Sequence, residues 1–475
     1  MNGRNYATIA VLAICLAAGA RGYAQPAPAP APVTREEFDR AMKEIADLRK
    51  EVADLKAERA AAATQPAATA GGADVAQLRQ EVATLKKQQA ENQADADERM
   101  AETEKLVKDV MAKAQASSLG ETKLLITGDA SVGFTSQKNN TSTFSAGVSP
   151  RLLWKINDRL QFDAAMDIGL DRNPSDNSSE TTFDLTIASV TYLLNDYMVI
   201  GAGKFVAPFA AYHRDFDPPW IDKLPDDPLV FSDNGLAPGS ILGAFVSGGV
   251  PVGSAKFNYA AYVSNGPELS ITDPATAGSL MWDNNVDLNN NKAVGGRIGF
   301  LPIPQLEIGY SVLYGQASPG GNNNPTGFPT TKAFLQAVDF NYTRSSELLA
   351  GAISLRSEWV WSKVGDATYD PNGTWTPNPG PLTFNNARNG GYAQFSYRPT
   401  LSGYKVLRNF EGVFRYDRLD GPSAAPSGGG HEQRYTFGVD YWLDSRSVLK
   451  FAYECDDVSN AGGSPAYMMQ FGVGF

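Results

Sequence analysis

The chain ends in the stretch Ala466-Tyr-Met-Met-Gln-Phe-Gly-Val-Gly-Phe475, which decides the fold. Successive side chains of an extended strand point to opposite faces. One face would then carry Tyr467, Met469, Phe471, Val473 and Phe475, and the other Ala466, Met468, Gln470, Gly472 and Gly474. A transmembrane β-barrel strand needs this pattern, because one face contacts lipid and the other lines the lumen. The alternative is an ordinary hydrophobic strand at the end of a soluble protein.

The same alternation of apolar and polar residues recurs from Thr122 onward. It is strict in the segments 159–171, 256–263, 306–314, 434–441 and 449–454. Alternation over about ten residues is typical of barrel strands.

The links between these strands alternate in length. Short links are predicted near 156–158, 194–196, 251–253, 302–304, 344–346, 399–404 and 444–446. Longer polar links are predicted near 136–142, 172–180, 204–238, 265–291, 317–331, 364–388, 420–432 and 457–464. Residues 122–475 are therefore predicted to form an all-β transmembrane barrel of sixteen antiparallel strands, wide enough for a water-filled channel. A soluble β-sandwich, the alternative, would not show this alternation.

The first residues indicate export. Residues 1–24 have a basic residue, Arg4, then a short apolar run and small residues before a cleavage point, as in a signal peptide. We expect Cys15 to be removed with it, which leaves Cys455 as the single cysteine and excludes an internal disulfide. Together with the barrel pattern, this predicts location in the bacterial outer membrane, in contact with its lipid.

An α-helical coiled coil is predicted between the signal and the barrel. Residues 25–33 form an Ala/Pro linker, and residues 60–73 form a second linker. Apolar residues repeat every seven positions in 34–59 and again in 74–118, with charges placed to attract across a parallel pair. This segment, in the periplasm, would join copies of the protein, whereas a solvated helical linker is the alternative. Val and Ile at one seam position with Leu at the other favour two strands.

The composition restricts the partners and the chemistry. The net charge is −11 and the mean hydropathy is −0.27, so an acidic barrel with polar loops fits and a nucleic-acid partner does not. The two histidines, His213 and His431, have no nucleophile in a recognisable setting, so we predict no enzyme, cofactor or metal site. The run 283–291 has oxygen ligands at alternate positions but lacks the Gly and the final Glu of an EF-hand loop, which favours a solvated loop over a calcium site.

The third long link, 204–238, is rich in aromatic residues and proline and too apolar to extend into solvent. We expect it to fold into the lumen and narrow the pore. The predicted constriction residues are Lys204, Phe205, Pro208, Phe209, His213, Arg214, Asp215, Asp217, Trp220, Lys223, Asp226 and Asp227.

The run Gly203-Lys-Phe-Val-Ala-Pro-Phe209, followed by this aromatic-rich loop, resembles the phosphate-selective porin O/P superfamily. The N-terminal coiled coil resembles that of a subset of trimeric outer-membrane porins. The resemblance implies a trimeric channel of sixteen strands with its third loop in the eyelet. Phe475 resembles the terminal signal that the barrel-assembly machinery recognises. The seam composition and the resemblance disagree, so a homotrimer and a dimer both stay open.

The charges on the predicted lumen wall nearly balance. By strand parity the wall carries the cations Lys204, Lys256, Arg297, Arg356, Arg415, Arg434 and Lys450, and the acids Asp163, Asp167, Glu307, Asp339, Glu358, Glu411, Asp417, Asp440 and Glu454. Because the arrangement of charged rings decides selectivity in a pore, sequence alone leaves anion and cation preference open. Some of these charges would instead pair across neighbouring strands and stiffen the wall.

The predicted function is that of a porin, which passes small hydrophilic solutes or ions by passive diffusion. The alternative is a structural anchor, in which a plugged barrel is tethered to the periplasm or to peptidoglycan by the coiled coil.

Overall fold

The computed structural model describes residues 123–475, except 139, 173–178, 233–234, 275, 286–289, 320–329, 375–379, 423, 426–429 and 459–461. The predicted signal peptide, both linkers and the coiled coil lie outside the described residues. None of the helices among the described residues is long and apolar enough to cross a membrane.

Eighteen strands are present in this part of the chain. They are β1 (Lys123–Gln137), β2 (Thr143–Lys155), β3 (Leu160–Arg172), β4 (Ser179–Asn195), β5 (Met198–Val206), β6 (Ser240–Val252), β7 (Ala255–Ser264), β8 (Glu268–Leu269), β9 (Leu280–Met281), β10 (Ala293–Ile303), β11 (Leu306–Ala317), β12 (Thr331–Ser346), β13 (Gly351–Val364), β14 (Ala387–Arg398), β15 (Phe410–Asp420), β16 (His431–Trp442), β17 (Ser447–Val458) and β18 (Ala466–Gly474). All except β8 and β9, which pair with each other, form one closed barrel. The prediction of sixteen antiparallel strands is confirmed.

The barrel closes where the last strand pairs with the first. β18 lies antiparallel to β1, with Gly474 opposite Asp129. The terminal residue completes the seam, because the N–H of Phe475 donates to Gly128 O at 2.9 Å and the N–H of Gly128 donates to Phe475 O at 3.1 Å. The hydroxyl of Thr127 donates to the same Phe475 oxygen at 2.6 Å. Residues 466–475, whose pattern predicted the barrel, therefore also close it.

The two faces of β18 differ as the sequence predicted. Tyr467 is 65% exposed and Phe475 is 47% exposed, whereas Ala466 and Met468 on the other face are buried. The same alternation extends around the barrel, with exposed apolar side chains such as Phe437 on the outer face. An apolar outer surface on a closed sheet is the arrangement that a lipid bilayer requires.

Two predicted short links differ clearly from the structure. The link between β12 and β13 covers 347–350 rather than 344–346. The link between β14 and β15 covers 399–409 rather than 399–404, and ends in a 3₁₀ turn at Leu407–Asn409. The sequence pattern predicts that this link ends near 404. Arginine side chains hold the backbone instead, because Arg398 Nε donates to Arg408 O at 2.8 Å and Arg408 Nε donates to Ser402 O at 2.5 Å.

Candidate functional site: segment 207–239 and the inner wall

Segment 207–239 connects β5 to β6 and is the most deeply buried link among the described residues. Its single helix, α1 (Tyr212–Asp215), is one turn long. Ala207, Ala210 and Val230 have no exposed surface, and Phe209 is 1% exposed. These side chains belong to a hydrophobic cluster that includes residues of the strands, namely Phe205, Ile241, Tyr262, Ala293, Leu313, Leu335, Ala337, Val360 and Tyr392. The strand residues of the cluster alternate with the exposed apolar residues, so the segment packs on the inner face.

A buried carboxylate on β13 holds the first part of the segment. The N–H groups of Ala211 and Tyr212 donate to Glu358 Oε2 at 2.7 and 3.3 Å. The hydroxyl of Tyr392, on β14, donates to the other oxygen at 2.8 Å. Nearby, the N–H of Ala210 donates to Ser311 Oγ on β11 at 3.0 Å. The strands thus satisfy main-chain groups that would otherwise be buried without partners.

A second anchor is the guanidinium group of Arg415 on β15, which has no exposed surface. It donates to Asp226 O at 2.8 Å, to Asp227 O at 3.2 Å and to Asp417 Oδ2 at 2.7 Å, and it pairs with the Asp226 carboxylate. Arg434, on β16, also donates to the Asp226 carboxylate, at 3.2 Å. Buried charges need this degree of pairing, because desolvation costs several kcal/mol per ion.

Two lysines and an arginine make further contacts between the segment and strands β13, β15 and β17. Lys450, on β17, donates to Leu224 O at 3.1 Å. Lys223, in the segment, forms an ion pair with Glu411 on β15. The guanidinium of Arg356 lies 3.9 Å from the centre of the Phe216 ring, a cation–π contact.

Two glycines on the inner face of β18 make room for the tip of the segment. A Cβ atom at Gly472 would lie 2.6 Å from Pro219 O, and one at Gly474 would lie 2.6 Å from Trp220 Nε1. No real Cβ approaches backbone so closely, so this strand accepts the tip because glycine stands at both positions.

The segment is also tied internally by one hydroxyl. Tyr212 donates to Asp222 Oδ2 at 3.0 Å and to Asp227 Oδ1 at 2.8 Å. Burial, together with the charges of Asp217 and Asp222, raises the pKa of Asp227 to about 7. Burial lowers the pKa of His213, but the hydrogen bond and charge of Asp217, 3.4 Å away, outweigh it and raise that pKa overall. The segment therefore carries a carboxyl group, that of Asp227, which titrates near neutral pH.

The structure groups most of the predicted site residues and separates a few. Glu358, Arg415, Asp417, Arg434 and Lys450 all contact the segment, as described above. Arg297 lies nearby and pairs with Asp339 at 2.5 Å and with Glu307 at 3.0 Å. Arg214 pairs with Asp215.

Lys204 and Lys256 lie apart from this group. Lys204 forms ion pairs with Asp184 at 3.5 Å and with Asp283 at 2.7 Å. Lys256 is exposed beside the turn between β6 and β7. Sequence reasoning missed the roles of Ser311, Tyr392 and Gly472, whose only signal was an inward position on a strand.

The described residues hold no group of three or more His, Cys, Asp or Glu side chains placed to bind a metal ion. Of the run 283–291, residues 286–289 lie outside the described part, so the calcium alternative is not tested.

The fold is that of a closed antiparallel barrel of sixteen strands with an apolar outer surface. No protein family matches the chain, and no curated protein matches it. Solved structures that are similar include OmpF of Salmonella typhi in a complex with daunomycin, with a TM-score of 0.47, 10% identity, and coverage of 75% of this chain and 98% of the other.

Two further similar structures are outer-membrane channels by description. The anion-selective porin from Comamonas acidovorans has a TM-score of 0.46 and 12% identity, with 75% of this chain and 100% of that chain covered. The outer membrane channel DcaP of Acinetobacter baumannii has a TM-score of 0.45 and 10% identity, with 74% and 97% covered.

Proposed function

We propose that the protein is a porin of the bacterial outer membrane that passes small hydrophilic solutes or ions by passive diffusion. A sixteen-stranded barrel is wider than its own inward side chains can fill, so it leaves an aqueous lumen. The observation that carries the proposal is the closed barrel with apolar side chains outside and charged side chains inside.

Segment 207–239 is proposed as the constriction of this pore. Its contacts with strands from β11 to β18 draw it away from its own ends at β5 and β6. A loop bonded along one side of the lumen reduces the open cross-section and so sets a size limit for solutes. Because buried ion pairs fix the loop, the size limit would stay constant as long as the segment is docked.

The proposal also covers the segment that precedes the barrel and the residue at its C-terminal end. The predicted coiled coil, 34–59 and 74–118, would lie in the periplasm and join three copies, or two. Phe475, which completes the seam between β1 and β18, would serve as the signal for the barrel-assembly machinery.

A structural anchor is the second candidate, because part of the inner wall is fully buried. Arg415 and Lys450 have no exposed surface beneath the segment. If the whole lumen were closed in this way, the barrel would serve only to tie the membrane to the periplasm or to peptidoglycan through the coiled coil.

Planar-bilayer recording of the purified full-length protein separates the two. A porin gives stable conductance steps, whereas an anchor is electrically silent although heat-dependent electrophoretic mobility shows a folded barrel. A deletion within 207–227 raises the conductance if the segment narrows the pore. An unchanged conductance in that variant would place the segment outside the conducting path.

A further inference from the structure

The inner wall of the barrel has two halves with different exposure. Beneath segment 207–239, three cations of the wall are removed from solvent, while Arg356 and Arg434 are partly buried and contact Phe216 and Asp226 of the segment. Arg297 is 3% exposed, and Arg415 and Lys450 are fully buried. Each is also paired: Arg297 with Asp339, Arg415 with Asp417, and Lys450 with Gln470 at 2.7 Å and Leu224 O. A solute in the lumen therefore does not meet these positive charges directly.

The opposite half, formed by β1 to β5, is accessible. The side chain of Asp184 is 61% exposed, Asp167 is exposed, and Asp129 is half-buried. From the segment, Asp217 reaches this side with 49% of its side chain exposed. The register places Asp129, Asp163, Asp167 and Asp184 on one face of neighbouring strands, opposite the exposed apolar residues Met166, Leu170 and Val190.

Two cations on this accessible side, Arg151 and Lys204, are already paired with carboxylates. Arg151 donates to both oxygens of Asp163, at 2.9 and 2.5 Å. Lys204 lies between Asp184 and Asp283. The ion pairs of the described residues include neither Asp129 nor Asp167, so carboxylate charge is in excess along this half.

Lys256 is an exposed cation of the lumen wall, but it lies on β7, outside the half formed by β1 to β5. The other charges near the lumen do not reverse this balance. Arg214 is paired with Asp215 and lies 3.7 Å from Glu307, so that group is not positive overall. Lys155, at the end of β2 near the short turn, is paired with Asp158 at 2.7 Å.

We propose, on the basis of the proposed porin function, that solutes pass between segment 207–239 and the wall of β1 to β5, and that this passage prefers small cations. Two separate observations carry the proposal: the burial of the wall cations beneath the segment, and the exposed carboxylates on the other side. Exposed charge of one sign in a narrow passage between low-dielectric walls raises the local concentration of ions of the opposite sign. The segment therefore sets the charge of the passage as well as its width.

The test is the reversal potential of the full-length protein in a planar bilayer of neutral lipid with a KCl gradient. The unmodified protein is expected to pass K⁺ several-fold better than Cl⁻. The triple variant Asp129→Asn, Asp167→Asn, Asp184→Asn is expected to lose most of this preference, because Asn keeps the size and removes the charge. The matched control Asp196→Asn, Asp444→Asn, Asp457→Asn removes three exposed charges from turns and from the outer end of β17, and is expected to keep the preference.

Each outcome bears on the proposal differently. A conducting protein that prefers Cl⁻, or a triple variant that keeps the K⁺ preference, overturns the inference but leaves the porin function intact. A folded protein that does not conduct overturns the porin function and the inference together. Loss of preference in both the triple variant and the control would show that total charge, rather than the wall of β1 to β5, decides selectivity, and would also overturn the inference.

Discussion

The main-chain N–H of Ala211 donates a hydrogen bond of 2.7 Å to Glu358 Oε2, across 147 residues of sequence. Glu358 lies on β13, five strands around the barrel from β6, where the segment ends. Main-chain bonds of this kind fix a loop more strictly than side-chain packing does, because they position the backbone itself. The position of segment 207–239 thus depends on a few inward side chains of distant strands.

Replacement of Glu358 tests this attachment. Glu358→Leu leaves two buried N–H groups without acceptors, at a cost of about 1–3 kcal/mol for each. We expect larger and noisier single-channel currents, because the segment detaches more often. Glu358→Gln is the control, since its amide oxygen accepts the same bonds and its current is expected to stay close to that of the unmodified protein. Equal currents from both variants would show that Glu358 does not hold the segment.

Arg415 provides a second test, with a control on the same strand. Arg415→Met leaves the buried carboxylates of Asp226 and Asp417 without their main partner, which costs about 3–5 kcal/mol. We expect increased conductance and a lower denaturant midpoint for release of the segment. Arg418, three residues further along β15, points outward and pairs with Asp420 at 2.9 Å.

The control variant Arg418→Met is expected to change neither the conductance nor the denaturant midpoint, because exposed ion pairs contribute little. If Arg418→Met had as large an effect as Arg415→Met, a general loss of strand stability would explain both, and the role of Arg415 in docking would be disproved.

The barrel was predictable because its signal is local. Alternation along β18 or β16 is visible in ten consecutive residues, and each strand repeats it independently. Arg398 and Arg408 show where such reasoning fails, because their bonds to backbone carbonyls hold a link of 399–409, longer than the predicted 399–404. A local pattern predicts the face of a strand, but it does not predict which side chain captures a neighbouring backbone.

The partners of the segment were not predictable for a related reason. Arg415 and Asp226 are 189 residues apart, and parity predicts only that the arginine points inward. Which half of the wall the segment covers depends on packing between Phe216 and Arg356 and on the space at Gly472, both of which exist only in the folded barrel. The sign of the charge that a solute meets in the lumen could therefore be assigned only from the structure.

Gly472 offers a steric test of the docked tip. Gly472→Val places a Cβ within 2.6 Å of Pro219 O, so the tip has to move away from β18. We expect an altered conductance with an intact barrel. Gly412→Val is the matched control, because a Cβ there meets nothing within 4 Å. Unchanged conductance in Gly472→Val would show that the tip does not limit the conducting path.

The titration of Asp227 predicts a pH dependence of docking. Burial raises the pKa of this carboxyl to about 7 from an ordinary value of 3.8, and burial also raises the pKa of Asp222, which shares the Tyr212 hydroxyl. The Asp227 carboxyl group therefore keeps its proton to a higher pH in the docked segment than in the free segment. Docking is therefore fully favoured below about pH 4, weakens as the pH rises toward about 7, and changes little above it.

Single-channel recording between about pH 4 and about pH 8 measures this dependence as growing current fluctuation in the window where docking weakens. Asp227→Asn is expected to reduce the slope of this pH dependence, because its amide oxygen accepts the Tyr212 bond without titrating. The slope that remains would come from Asp222. The outer carboxylate variant Asp457→Asn is the control and is expected to keep the full slope. A slope that is the same in Asp227→Asn and in the unmodified protein would assign the pH dependence to other groups, since the titration of Asp227 is then not coupled to docking.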